Sequence, residues 1–215
     1  IPQDYELVKD IDTTRIGRIR LSSEISAFLH ELSWNQVQFF NKGVLEAMEA
    51  LNVTPDVIIC NDWLTGMIPA LLESHINYRD LPRFRNTAKV FVIHNLEYQG
   101  IFNKLLLPRS GIDWNEFRTE GGLEFYDNIN LMKGAIVHSD IVITVGKTYK
   151  NEITTSGFGF GLDGVLRVKD KQGRLFGILN GYDYGSNNPA TDTLVGVNYN
   201  ISNVLEVRPE NKRLL

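Results

Sequence analysis

The chain has 215 residues, 43% hydrophobic and 22% charged, with a net charge of −4, the proportions of a globular chain rather than a disordered or collagenous one. Its basic residues are scattered, which argues against nucleic acid as a partner. No apolar run approaches the ~18 residues needed to cross a bilayer, and the charged opening Ile1-Pro2-Gln3-Asp4-Tyr5-Glu6 has no signal-peptide character, so no membrane partner is expected.

Between Trp34 and Leu51, apolar residues at Val37, Phe40, Val44, Leu45, Met48 and Leu51 predict one face of a helix. The short β-branched run Val57 to Cys60 predicts a buried strand ended by Asn61-Asp62. Met67 to Leu72 reads as a helix, and Val90 to Ile93 as a second strand ended by His94-Asn95. Tyr98 to Gly122, with Gly100, Pro108, Gly111 and a Gly-Gly pair, reads as loop or short helices. The apolar face Phe125, Ile129, Met132, Ile136 predicts a helix over 125–138, followed by a strand at Ile141 to Thr144 and a helix from Lys147 to Ile153. A glycine-rich loop at Gly157 to Gly164, the apolar run Leu175 to Leu179 and a turn-rich Asn180 to Asp192 complete the pattern.

This alternation predicts a single α/β domain over 1–215, a Rossmann-like, doubly wound, mostly parallel sheet. Ligands in such sheets bind outside the carboxyl ends of the strands. The four predicted strands end at Asp62, His94, Thr144 and Asn180, so their polar groups are expected on one rim. Asp62 is equally well read as a helix N-cap, His94 as a hydrogen-bonded loop histidine, and Asn180-Gly181 as a turn. Trp63 is either core or a flat platform for a sugar ring. Gly159-Phe160-Gly161-Leu162-Asp163-Gly164 matches the dinucleotide fingerprint in letters only, because a helix rather than a strand is expected before it. Cys60 alone forms no internal disulfide, and no Cys/His cluster has zinc spacing, which points to a reducing compartment.

Longer segments carry more information. Pro55-Asp56-Val57-Ile58-Ile59-Cys60-Asn61-Asp62-Trp63 and His94-Asn95-Leu96-Glu97-Tyr98-Gln99-Gly100-Ile101-Phe102 resemble, in that order, segments of bacterial-type glycogen and starch synthases. Asn130-Leu131-Met132-Lys133-Gly134, Tyr149, Gly161-Leu162-Asp163-Gly164, Gly177-Ile178-Leu179-Asn180-Gly181 and Asn188-Pro189-Ala190-Thr191-Asp192 follow in family order. Leu64 stands where that family commonly has His or Gln, and Asn187 where it has Trp.

The resemblance implies the N-terminal half of a twin-Rossmann (GT-B type) retaining glycosyltransferase, which moves glucose from ADP-glucose to the non-reducing end of an α-1,4-glucan. It implies no cofactor or obligatory metal, ADP-glucose being a co-substrate, and a cytoplasmic or plastid-stromal location. By the same resemblance Asp62 and His94 are catalytic, and Trp63, Asn95, Tyr98, Gln99 and Asn180 bind substrate. The family's Lys-x-Gly-Gly loop and its second, nucleotide-sugar domain have no counterpart here, and the chain opens on Ile1; a fragment inactive by itself is therefore expected. The alternative is a glucan-binding or regulatory remnant without catalysis.

Overall fold

The computed structural model describes residues 23–75 and 77–214, whose contacts gather into two compact units. The first comprises the described residues up to Phe91 together with Glu97–Asp140, and the second Val92–Leu96 with the described residues from Ile141 onward.

The first unit opens with helix α1 (Ser23–Ala50), strand β1 (Val57–Asn61), a 3-10 turn at Trp63–Thr65 and helix α2 (Met67–Ser74). Strand β2 (Ala88–Ile93) lies beside β1, and its last two residues belong to the second unit. Helix α1 buries Trp34, Val37, Asn41 and Leu45, whereas Phe40 and Leu51 are exposed. The buried face is thus rotated from the one the apolar spacing predicts, because a polar residue, Asn41, occupies its centre. Asn41 is fully buried, and its amide uses both donors and its oxygen. Nδ2 donates to the carbonyls of Val37 (2.7 Å) and Leu64 (2.8 Å), and Oδ1 accepts from Ile68 N (3.2 Å). Ile68 N–H is one of the donors that the first turn of α2 leaves without an intrahelical partner, so α1 caps α2 from outside.

Helix α2 is apolar nearly all round, as a helix enclosed on all sides must be. It lies against α4 (Leu131–His138). Gly66, at its start, permits this approach, since a Cβ there would come within 2.8 Å of the Leu131 carbonyl oxygen. Ahead of α4 come β3 (Ile101–Asn103), the short helix α3 (Leu107–Ser110), β4 (Glu124–Phe125) and β5 (Asn128–Asn130). The strands form an antiparallel sheet in the order β3-β5-β4.

The helix expected over 125–138 is therefore corrected: only 131–138 is helical. Tyr126 and Asp127 take φ of 48° and 63° and form a two-residue turn of the kind that closes hairpins. Ile129 is buried as the helical face would have it, but from β5.

The second unit orders the end of β2, then β6 (Ile141–Thr144) and β7 (Leu175–Gly177). β6 and β7 are parallel, with Thr144 opposite Gly177. Helices α5 (Lys147–Glu152) and α6 (Asp163–Lys171) connect them, and α7 (Val204–Leu214) closes the described chain. Neither α6 nor α7 was expected from the pattern, and β7 is two residues shorter than its apolar run. α5, not a strand, leads toward the 157–164 loop, so the context of a dinucleotide fingerprint is missing.

Candidate functional site

Both units place predicted site residues just beyond strand carboxyl ends. In the first unit, Asp62 follows β1 and takes φ 53°, ψ 179°, a backbone region that is almost exclusively glycine's. The 3-10 turn that follows shows no cap bond from its side chain, which removes the plain N-cap alternative. The turn is closed by other groups. The Asp62 carbonyl accepts from Thr65 N (3.2 Å) and Thr65 Oγ1 (3.2 Å), and Thr65 Oγ1 also donates to Asn61 O (2.8 Å).

Trp63 is half-buried. Phe102 lies 6.1 Å away, centroid to centroid, at an interplanar angle of 49°. Trp63 also lines an open groove of about 590 Å³ with Ser33, Gln36, Phe40, Asn61 and Thr65. Among the described residues no charged side chain lines the groove. Trp63 is thus neither plain core nor a free-standing platform, but a supported ring with one side on open space.

Tyr98 is 64% exposed, whereas its neighbour Gln99 is buried. Gln99 Oε1 accepts from Asn130 Nδ2 at 2.6 Å, and Asn130 Oδ1 in turn caps α4 by accepting from Lys133 N (2.9 Å). Backbone bonds from Met132 N to Gln99 O and from Leu131 N to Gly100 O, both 3.0 Å, fix the same turn. Lys133, also buried, donates from Nζ to the carbonyls of Thr119 (2.7 Å) and Glu124. Burial lowers its pKa below the ordinary lysine value. Helix α4 thus anchors two loops, 98–100 and 119–124. Cys60, buried in β1, has its thiol pushed up to about 12 by desolvation and is a core residue rather than a nucleophile.

In the second unit His94 and Asn95 follow β2 and are exposed. Buried Leu96 comes next and fixes the segment by donating its N–H to the Tyr149 hydroxyl on α5 (3.1 Å). Thr144 Oγ1 donates to Ile93 O (3.1 Å), which ties the ends of β2 and β6 together. Ile178 N donates to Thr144 O (2.8 Å), and exposed Asn180 lies just beyond. Gly177 is required there, since a Cβ would sit 2.3 Å from the Gly146 carbonyl oxygen. His94 and Asn180 therefore follow the same, carboxyl ends of the strands of this unit. The partners Asn130 and Tyr149 lie within the family-like segments; Asn41 gave no signal, being one polar residue inside an apolar periodicity.

Among the described residues no group of three or more His, Cys, Asp or Glu side chains could hold a metal ion, and no helix is long and apolar enough to cross a membrane.

A mostly parallel α/β sheet with polar residues emerging at its carboxyl ends is the architecture of a GT-B glycosyltransferase half. Residues 28–168 match the family described as starch synthase catalytic domain. The glycogen synthase of Pseudothermotoga lettingae is 47% identical over 174 residues, which are 81% of this chain and 35% of that protein. The glycogen synthase of Thermotoga maritima is 46% identical over 177 residues, 82% of this chain and 35% of its own length. Among solved structures, the catalytic domain of starch synthase IV from Arabidopsis thaliana, bound to ADP and acarbose, superposes with a TM-score of 0.70 at 32% identity. That superposition covers 85% of this chain and 36% of that one. The chain belongs to the starch synthase catalytic domain family. It spans about a third of the length of the curated relatives it matches.

Proposed function

We propose that this chain is the acceptor-side part of a glycosyltransferase that moves glucose from ADP-glucose to the non-reducing end of an α-1,4-glucan with retention of configuration. The observation that carries the reading is Asp62. It stands at a strand's carboxyl end on a strained backbone, within the residues 28–168 that match the starch synthase catalytic domain family. Strain of this kind persists where function requires the geometry.

Transfer passes through an oxocarbenium-like sugar while the diphosphate departs, so the site stabilises positive charge on the sugar and negative charge on the leaving group. The Asp62 carboxylate supplies the first, as an electrostatic partner of the cationic centre near the acceptor hydroxyl. It is no inverting base, because retention here is same-face attack assisted by the leaving phosphate. His94 hydrogen-bonds the glucosyl unit, and Asn95 and Asn180 bind sugar hydroxyls. Trp63 and Tyr98 shape the acceptor channel by surface contact. Gln99, buried and engaged by Asn130, shapes it by holding the turn that carries Tyr98. ADP-glucose is a co-substrate, and no cofactor takes part. The groups that stabilise the departing diphosphate belong to a nucleotide-sugar domain outside these residues.

The isolated chain is therefore expected to bind maltoheptaose weakly by titration calorimetry and to release no ADP from ADP-glucose. In a protein joining this chain to a nucleotide-sugar domain, Asp62→Asn removes charge at nearly constant shape. It should lower kcat far more than it raises the glucan KM. Robust ADP release by the chain alone, or an unchanged kcat in that variant, would refute the assignment. Glucan binding without turnover in the longer protein would favour the regulatory-remnant alternative.

A further inference from the structure

Gly100 is defined by what its missing side chain would touch. A Cβ at this position would lie 2.4 Å from Trp63 Cε3 and 3.0 Å from Trp63 Cδ2, distances at which one group has to move. The backbone of residue 100 is not free to do so. Its carbonyl and that of Gln99 accept from Leu131 N and Met132 N at the start of α4, and Gln99 Oε1 is held by fully buried Asn130. The indole, which has open groove beside it, is the softer partner. The φ of +63° at Gly100 is a second reason for glycine there, and it is separable from the first.

We propose that Gly100 is a positioning residue. By lacking a side chain it lets the Trp63 indole seat against a backbone segment anchored by α4, so that the ring presents to a neutral polyhydroxylated chain in the groove it shares with Phe40, Gln36 and Asn61. Among the described residues the lining is uncharged, with Val37 and Leu64 beside aromatic, amide and hydroxyl groups, which suits a glucan rather than an ionic ligand. The last step rests on the function proposed above; the seating of the ring does not.

The test uses isotope-labelled indole N–H spectra of the 215-residue chain, in which Trp34, Trp63 and Trp114 give three signals. Gly100→Ala should move or split the Trp63 signal and leave the other two in place. It should also weaken maltoheptaose binding about tenfold, the worth of one stacked ring. Trp63→Phe removes Cε3, the nearest of the atoms that the new methyl would strike, so adding Gly100→Ala to it should cost little further affinity. An unmoved Trp63 signal in Gly100→Ala, or additive losses in the double variant, would overturn the proposal. If Gly100→Ala fails to fold, folding of the double variant supports the clash, and its equal failure places the fault in φ alone and overturns it. A wild-type chain that ignores maltoheptaose while its Trp63 signal still responds to Gly100→Ala would refute the glucan reading and still support the seating of Trp63 by Gly100.

Discussion

Replacing Asn41 with Ala should destabilise the fold far more than its place on a surface helix suggests. The side chain is fully buried and makes three hydrogen bonds, two of them to groups distant in sequence, Leu64 O and Ile68 N. The Val37 carbonyl lies in the interior of α1, where the helix itself can satisfy it, so its loss weighs little. Ile68 N would be left buried without that partner, at about 1–3 kcal/mol, and the part-buried Leu64 carbonyl would lose one bond, at about 1 kcal/mol. The expected loss is therefore about 2–4 kcal/mol, or roughly 4–16 °C in Tm for a chain of this size. Asn41→Leu fills the same space without restoring either bond and should lose a similar amount, which separates hydrogen bonding from cavity formation. Urea unfolding followed by circular dichroism measures both. Variants within about 0.5 kcal/mol of the wild type, the range of ordinary surface substitutions, would show that α2 does not depend on a cap from α1.

Asp62→Gly should raise unfolding stability by about 1 kcal/mol, because glycine adopts φ 53°, ψ 179° without the strain an L side chain bears. Asp62→Asn, which keeps that strain, should show no such gain in the same urea titration. Burial lowers the pKa of His75, which faces Lys42 and Glu46, and of His138, which faces Glu116, Glu73 and Lys89. His138 Nε2 approaches Glu116 Oε2 to 3.0 Å, and the carboxylate's charge works against the burial, which outweighs it. A histidine with a depressed folded pKa leaves the unfolded chain to take up protons first. Stability should thus be full above about pH 6.5 and fall as the pH drops below it. A urea midpoint unchanged between about pH 7 and about pH 5.5, or a wild-type slope retained by the double variant His75→Gln/His138→Gln, would contradict this.

The parallel-sheet strands were legible because each is a short β-branched run closed by polar residues, and the strand-end positions of Asp62 and His94 follow from that pattern. What stayed hidden has physical causes. The face of α1 was misplaced because Asn41 interrupts an apolar stripe, and only tertiary hydrogen bonds make a polar side chain suitable there. The 124–130 hairpin reads as helix in the sequence because its Phe125 and Ile129 also match a helical spacing. The deciding property, positive φ at Tyr126 and Asp127, is not one those residue types announce. Helix α6 begins inside a glycine-rich stretch, where composition argues for loop.

The roles of the site residues were not separable in the sequence for a related reason: adjacent letters serve opposite ends. Tyr98 is exposed and Gln99 buried, and Trp63 follows Asp62 yet leans on Gly100, from a different part of the chain. A backbone held at φ 53° and ψ 179° with a carboxylate on it relaxes unless its surroundings fix it from several directions. Here the 61–65 turn is fixed from three. Thr65 ties it from within, Asn41 holds the Leu64 carbonyl from α1, and Gly100 seats the indole of Trp63 from a segment locked to α4. Each restraint comes from a different element, so relaxing Asp62 would disturb contacts to all of them at once. The strain is therefore a property of the fold rather than of residue 62, and it is the means by which a short polar side chain is kept at one place on the rim.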